Sequence, residues 1–188
     1  MTNEERPDAS VAGDARLRLF CALELAPETV ECLTRWQVSA LGRVRLVPPE
    51  ALHVTLAFLG RRPAGDIPAV VRELRAASAA AAPLHLRVGG YRATRGVGMV
   101  VLEDVGGAAT ALADDLSGRL ERCGLARRER RPWLPHVTVA RFRERAGDPK
   151  TAPNTCSIGV VRSALYRSSL GAGGARYEAL ETAVLGGR

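Results

Sequence analysis

The chain has 188 residues and a hydrophobic share of 46%, which predicts one globular domain or two small, closely packed lobes. A formal charge of +7 favours an anionic partner, nucleic acid above all, although an arginine-rich chain with Lys150 as its only lysine also fits a bias of genome composition. No apolar run reaches the roughly 18 residues of a membrane helix, and no secretory signal follows Met1. We therefore expect a cytoplasmic protein with no membrane partner, a disordered tail over residues 1–15 and a single two-lobed domain over residues 16–188.

The predicted secondary-structure elements repeat along the chain. A helix starts near Pro27, after a nearly continuous apolar strand, and apolar residues at helical spacing mark two further helices. The predicted strands are residues 17–25, 52–59, 84–88, 97–102, 134–142, 157–167 and 175–185, and the predicted helices are residues 27–41, 66–82 and 108–123. The order strand, helix, strand occurs twice, which indicates an α+β protein built from two related halves.

A four-residue motif of histidine, aliphatic residue, threonine and aliphatic residue also occurs twice. The two copies are His53-Val54-Thr55-Leu56 and His136-Val137-Thr138-Val139, and they contain two of the three histidines. Each copy falls on a predicted strand that follows a strand and a helix. Because side chains alternate between the faces of a strand, each histidine shares a face with its threonine, while the aliphatic residues face the core. If each half contributes its motif strand to one cleft, the two histidines approach a substrate from opposite sides.

Two opposed imidazoles suit a displacement at phosphorus. The ordinary pKa of histidine lies near neutrality, so one ring can accept a proton while the other donates one. Thr55 and Thr138 can donate hydrogen bonds to phosphate oxygens. Neither histidine has further ligands nearby in sequence, so we expect no metal and no other cofactor. Arg141 is a further candidate for binding phosphate, although simple alternation puts it on the face opposite His136 unless the strand bulges.

The paired motifs, in a chain of this size, resemble those of the two-histidine (2H) phosphoesterase superfamily. The segments 16–20, 52–60, 135–141, 165–168 and 173–178 resemble, in residues and in order, the RNA 2′,3′-cyclic phosphodiesterases that are also called 2′-5′ RNA ligases. The resemblance implies two pseudo-symmetric lobes, with antiparallel sheets flanked by helices, around a central cleft. It also implies hydrolysis of a 2′,3′-cyclic phosphate at an RNA end to a 2′-phosphomonoester, with His53 as the proton donor and His136 as the proton acceptor. The residues alone leave these two roles interchangeable, since the motifs are nearly identical.

On this interpretation, the expected partners are RNA ends with a 2′,3′-cyclic phosphate, or related nucleotides, and the protein is expected to be a monomer. Two alternative functions remain open. One is another 2H phosphoesterase acting on small cyclic nucleotides or on 2′-5′ linked RNA, including reversible ligation. The other is a non-catalytic RNA-binding protein.

The remaining chemistry-bearing residues receive structural interpretations. His85 lacks an accompanying threonine, and we interpret it as structural. The scattered cysteines are interpreted as small buried apolar residues. Phe20, Phe58 and Tyr91 could stack on a base, but with only 4% aromatic residues we assign them to the core, together with Trp36 and Trp133. Four arginines close together in sequence form either a solvated face or a contact with an RNA backbone, namely Arg127, Arg128, Arg130 and Arg131.

Overall fold

The computed structural model describes residues 16–42, 44–142, 149, 152–171 and 174–186, so the predicted tail over residues 1–15 lies outside the described residues. The described chain contains the two strand–helix–strand units that the sequence predicts. The strands are β1 (Arg16–Leu25), β2 (Arg45–Leu46), β3 (His53–Pro63), β4 (Leu86–Ala93), β5 (Val97–Asp104), β6 (His136–Arg141), β7 (Val160–Gly171) and β8 (Gly174–Ala183). The helices are α1 (Pro27–Ala40), α2 (Ile67–Ala80) and α3 (Ala108–Arg122).

The two motif strands, β3 and β6, lie side by side in the middle of an antiparallel sheet. Its strand order is β4-β5-β6-β3-β1-β7-β8, with the short β2 pairing with β6. In each half, the strand before the helix is the neighbour of the motif strand: β1 pairs with β3, and β5 pairs with β6. The two halves meet where β3 pairs with β6 at Val54 and Val137. The local repeat in sequence thus becomes a pseudo-symmetric pair of half-sheets.

The aliphatic residues of the motifs belong to the core. Val54, Val137 and Val139 have no exposed surface, and Leu56 is also buried. The three helices contribute Leu33, Leu74, Leu112 and Leu116, among others, to the same core cluster. One buried polar group strengthens the attachment of α1 to β6, because Gln37 Nε2 donates to the carbonyls of Val47 (2.9 Å) and Val139 (2.7 Å). Each motif strand therefore has one face fixed by packing, which leaves its other face for the histidine and the threonine.

The end predicted for the first motif strand is wrong. The strand was predicted over residues 52–59, closed by Gly60 and Pro63, yet β3 continues through Gly60 to Pro63 and pairs with β1 along its whole length. Gly60 lies at a β-bulge: Leu19 pairs with Gly60 and Phe20 with Phe58, which leaves Leu59 as the extra residue. Gly60 has φ = 73°, a backbone conformation that glycine adopts without steric cost. The glycine bends the strand rather than ending it.

The interpretation of the cysteines holds for one of the four. Cys21 is fully buried, and burial raises the pKa of its thiol to about 12. Cys123 is exposed. Cys32 on α1 and Cys156, in the segment before β7, form a disulfide with their Cα atoms 5.7 Å apart. They lie far apart in the chain, so only the packing of α1 against that segment brings them together.

Candidate active site

The two histidines and the two threonines of the motifs line one cleft. Since Val54 and Val137 are paired and point into the core, alternation turns the residues on either side of each valine towards the opposite face. The antiparallel direction brings His53 beside Thr138, and Thr55 beside His136. All four side chains lie at the wall of a cleft of about 710 Å³. The structure therefore places the predicted catalytic and phosphate-binding residues of both halves together.

Both histidine rings are held by the same kind of hydrogen bond. His53 Nδ1 lies 2.8 Å from the carbonyl oxygen of Ala51, and His136 Nδ1 lies 2.8 Å from that of Leu134. A carbonyl oxygen can only accept, so Nδ1 of each ring carries the proton in these bonds. This tautomer leaves Nε2 of each ring for the substrate. A neutral Nε2 can take a proton, and a protonated Nε2 can give one, so the two rings have the same chemical repertoire.

The surroundings of the two rings differ. Three aromatic side chains surround His53: Phe20 at 5.0 Å between ring centroids, Tyr177 edge-on at 5.2 Å and Tyr166 at 6.3 Å. Burial lowers the pKa of His53 from 6.5 to about 4, against the opposing effect of the hydrogen bond to Ala51. The positive charges of His136 and Arg141 lower it further. His53 is therefore neutral at neutral pH in the free protein.

A bulge in β6 brings Arg141 into the cleft. Ala140 pairs with Gly98 of β5 and Thr138 with Met99, which leaves Val139 as an extra residue without a partner on β5. Val139 and Ala140 are consequently both buried, and Arg141 emerges among the residues that line the cleft. Simple alternation would have turned this side chain away from His136. The bulge reverses that expectation, and it supplies a guanidinium on the same side as both histidines.

The first motif strand has an equivalent bulge. Thr55 pairs with Ala22 of β1 and Ala57 with Cys21, which leaves Leu56 without a partner. Phe58 then emerges into the cleft with 57% of its surface exposed, so its assignment to the core is wrong. Phe58 follows His53 by the same number of residues as Arg141 follows His136. That equal spacing was the signal in the sequence that could have identified both side chains as equivalent positions.

Two further arginines of the cleft were missed by the sequence analysis. Arg18 on β1 and Arg45 on β2 line the cleft together with Arg141. Arg45 is opposite Arg141 because β2 pairs with β6 at this point. Neither arginine belongs to the two histidine–threonine motifs, and their proximity depends on how the strands pair. Three guanidinium groups in one cleft make it suitable for an anionic ligand.

No group of three or more histidine, cysteine, aspartate or glutamate side chains is arranged to hold a metal ion among the residues that the structure describes. His85, which was interpreted as structural, is exposed and does not line the cleft. In the same described part of the chain, no helix is both long enough and apolar enough to cross a membrane.

Residues 24–154 match the family model described as the 2′-5′ RNA ligase superfamily. A curated relative from Geobacillus stearothermophilus, named RNA 2′,3′-cyclic phosphodiesterase, is 30% identical over 135 residues. The alignment covers 67% of this chain and 42% of the relative, so the chain spans less than half of that protein's length.

Two solved structures share the fold with a TM-score of 0.76. TT0787 of Thermus thermophilus is 29% identical, and LigT of E. coli, in a complex with 3′-AMP, is 26% identical. Each match covers 91% of this chain and 99% of the solved chain. The predicted fold class, α+β with pseudo-symmetric antiparallel half-sheets around a cleft, is confirmed.

Proposed function

The chain belongs to the 2′-5′ RNA ligase superfamily of 2H phosphoesterases, as its motifs predict, and we propose that it hydrolyses 2′,3′-cyclic phosphate ends of RNA to 2′-phosphomonoesters. The observation that carries this proposal is the pair of imidazoles, each with Nδ1 bound to a carbonyl and Nε2 available, on one face of two adjacent strands. The name of the Geobacillus relative supports the cyclic phosphate as substrate, and the 3′-AMP bound by LigT supports a ribonucleotide.

The proposed reaction uses each histidine once. His136 Nε2 takes a proton from a water molecule, whose oxygen attacks the phosphorus on the side opposite the 3′ oxygen. The bond between phosphorus and the 3′ oxygen breaks, and His53 donates a proton to that oxygen. The product carries a free 3′ hydroxyl and a 2′-phosphate. The hydroxyls of Thr55 and Thr138 and the guanidinium of Arg141 stabilise the charge on the non-bridging oxygens, and no step requires a metal ion.

The donor role of His53 requires the substrate's own charge. A ring with a pKa of about 4 is neutral in the free protein, whereas a donor must be protonated before the 3′ oxygen leaves. A bound cyclic phosphate carries a negative charge, which favours the protonated form of an adjacent imidazole. In this proposal, substrate binding therefore favours the protonated form of His53, which gives its proton to the 3′ oxygen. His136 afterwards releases to solvent the proton that it took from water.

The position of the phosphate in the product tests the proposed reaction. An oligoribonucleotide ending in a 2′,3′-cyclic phosphate is incubated with the protein and EDTA, and the product is identified by ³¹P NMR. We expect a 2′-phosphate. A 3′-phosphate would mean that the other oxygen leaves, and activity that appears only after a metal is added would contradict the metal-free mechanism.

The alternatives differ in their readouts. A phosphoesterase for small cyclic nucleotides would be insensitive to RNA length. A non-catalytic RNA-binding protein would bind RNA without turnover, although it would have no need of the hydrogen bonds that orient both rings in the same way.

A further inference from the structure

A groove continues from the catalytic cleft along the segment that connects α3 to β6. It has a volume of about 830 Å³ and shares Thr55, Phe58 and His136 with the wall of the cleft. Its other side is formed by residues 126–134, with contributions from α3 and from Arg92 on β4. The groove is therefore a second space that opens directly onto one of the two histidines.

The lining of this groove is strongly cationic. It contains five arginines against two acidic residues, Asp114 and Glu129; the arginines are Arg92, Arg127, Arg128, Arg130 and Arg131. All five arginines are exposed or form part of an exposed segment. Such a row of guanidinium groups attracts an extended polyanion more strongly than it attracts a single small anion.

One of these arginines organises the segment, and the others remain available. Arg128 donates to Asp114 of α3 at 2.7 Å, and its backbone N–H donates to Glu121. In the part of the chain that the structure describes, Arg127, Arg130 and Arg131 have no hydrogen bond or ion pair with another side chain. Three guanidinium groups are therefore available for a ligand on a segment that Arg128 ties to the helix.

The segment that lines the groove is also held against both motif strands. Trp133, at the end of this segment, donates its indole N–H to the carbonyl oxygen of Thr55 at 2.9 Å. The next residue, Leu134, supplies the carbonyl that binds the His136 ring. The arginine segment thus contacts the first motif strand and runs directly into the second. A chain bound along the groove would enter the cleft at a defined distance from both histidines.

A 2′,3′-cyclic phosphate is by its chemistry the end of an RNA chain, so the rest of the RNA continues only from the 5′ oxygen of the terminal nucleotide. One cationic path out of the cleft is what such a substrate needs. We propose that the groove lined by Arg127, Arg130 and Arg131 binds the phosphodiester backbone of single-stranded RNA on the 5′ side of the cyclic end. The proposal rests on the proposed function, and it adds the site that distinguishes a polynucleotide from a mononucleotide.

The apolar residues of the groove fit the same ligand. Phe58 is 57% exposed and Leu134 is 39% exposed, and both line the groove together with the arginines. An aromatic face next to guanidinium groups binds single strands without base-pairing, because every base has a face that can stack. An acidic peptide would use the arginines but would gain little from Phe58. The combination favours RNA.

The test compares two triple variants on two substrates. Arg127→Gln/Arg130→Gln/Arg131→Gln removes three charges from the groove. The control, Arg35→Gln/Arg72→Gln/Arg87→Gln, removes three charges from exposed arginines that line neither cavity. The substrates are 2′,3′-cyclic AMP and an oligoribonucleotide of roughly ten nucleotides that ends in a 2′,3′-cyclic phosphate. kcat/KM is measured over a series of salt concentrations.

For the groove variant, we expect kcat/KM on the oligonucleotide to fall about tenfold or more at low salt. The slope of log(kcat/KM) against log salt should become shallower by about 2, since each of the three lost phosphate contacts on a single strand contributes about 0.7. Its kcat/KM on the cyclic mononucleotide should stay within about twofold of the wild type. The control variant should behave as the wild type on both substrates. An equal loss on both substrates, or no loss on either, would overturn the proposal.

Binding without turnover separates this proposal from the proposed function. Fluorescence anisotropy with an oligonucleotide that ends in a 2′-phosphate measures binding without turnover, and comparing the wild type with the groove variant isolates the contribution of the three arginines. If the protein binds this oligonucleotide through the three arginines but hydrolyses neither substrate, the proposed reaction is wrong and the groove remains an RNA site. If polyglutamate of equal charge binds as tightly as the oligonucleotide, the assignment to RNA is wrong.

Discussion

At the scale of single residues, the two histidines of the site are alike in their hydrogen bonds, but His53 also lies against a group of aromatic rings. His53 and His136 each bind the carbonyl oxygen of the residue two positions earlier, which sets the same tautomer in both rings. His53 alone lies against Phe20, Tyr166 and Tyr177. The repeated motif therefore sets the same tautomer in both rings, and the aromatic residues around His53 give that ring a different environment.

The roles of the two histidines can be separated with a better leaving group. On an ordinary 2′,3′-cyclic phosphate, His53→Ala and His136→Ala should each lower kcat/KM by about a hundredfold or more, and Thr55→Ala should cost less. When sulfur replaces the 3′ bridging oxygen, the thiolate leaves without a proton, so His53→Ala should recover most of its loss whereas His136→Ala should not. If His136→Ala recovered its activity instead, His136 would be the proton donor and His53 the proton acceptor. His85→Ala, on an exposed histidine outside the cleft, is the control.

The buried His53 ring should make stability depend on pH. Burial lowers the pKa of His53 from 6.5 to about 4. Between these two pH values, the imidazole is protonated in the unfolded chain but neutral in the folded protein. The stabilisation is therefore complete above about 6.5 and is lost as the pH falls towards about 4. We expect the free energy of unfolding in urea to fall by on the order of 1–2 kcal/mol between about pH 7 and pH 5 through this residue.

The same titration with two variants isolates the contribution of His53. His53→Gln should show a shallower loss of stability over this pH range, and His85→Gln should follow the wild type because His85 is exposed. Equal slopes in all three proteins would contradict the buried, neutral state of His53.

At the scale of elements, the two bulges decide what enters the cleft. Leu56 in β3 and Val139 in β6 are the extra residues, each directly after the threonine of its motif. Each bulge shifts the alternation by one residue, so that Phe58 and Arg141 face the cleft at equivalent positions. The two halves thus share the position of the bulge but differ in the side chain that follows it, which is aromatic in one half and cationic in the other.

A further bulge in β3, at Leu59 and Gly60, gives a prediction about stability. Gly60 has φ = 73°, and an added Cβ would meet no atom within 4 Å, so the cost of Gly60→Ala is conformational alone. We expect a loss of about 1 kcal/mol in the free energy of unfolding. Gly65→Ala is the matched control, since its Cβ also meets open space and its φ lies outside the left-handed region. If both variants had equal stability in urea, the backbone conformation assigned to Gly60 would be wrong.

At the scale of the whole molecule, the two halves are joined by the pairing of Val54 with Val137, and the disulfide ties α1 to the segment before β7. Two hydrogen bonds also join α1 to the segment before β7. Thr29 Oγ1 donates to the carbonyl of Ser157 (2.8 Å) and accepts from the N–H of Gly159 (2.8 Å). This contact fastens a segment late in the chain onto the first helix.

Removing the disulfide should destabilise the fold without affecting the chemistry. The bond links residues 124 positions apart, and closing so long a loop restricts the unfolded chain, which predicts a loss of about 2–4 kcal/mol in Cys32→Ser/Cys156→Ser. Neither cysteine lines the cleft, so kcat/KM on a cyclic mononucleotide should be unchanged. Urea unfolding with and without a reductant checks this: the reductant should lower the stability of the wild type and leave that of the variant unchanged. A variant as stable as the oxidised wild type would contradict the pairing.

The sequence by itself determined the repeated strand–helix–strand order and the strand face that each motif histidine shares with its threonine, because strand alternation and helical spacing are local properties of the chain. The residues and order of the motifs indicated the family by resemblance. Only the tertiary structure decided that Phe58 and Arg141 face the cleft, that Arg18 and Arg45 join them, and that Cys32 meets Cys156. A bulge is defined by the register of a neighbouring strand, and the aromatic residues against His53 lie on other strands. These features depend on contacts between distant parts of the chain, which no local pattern encodes.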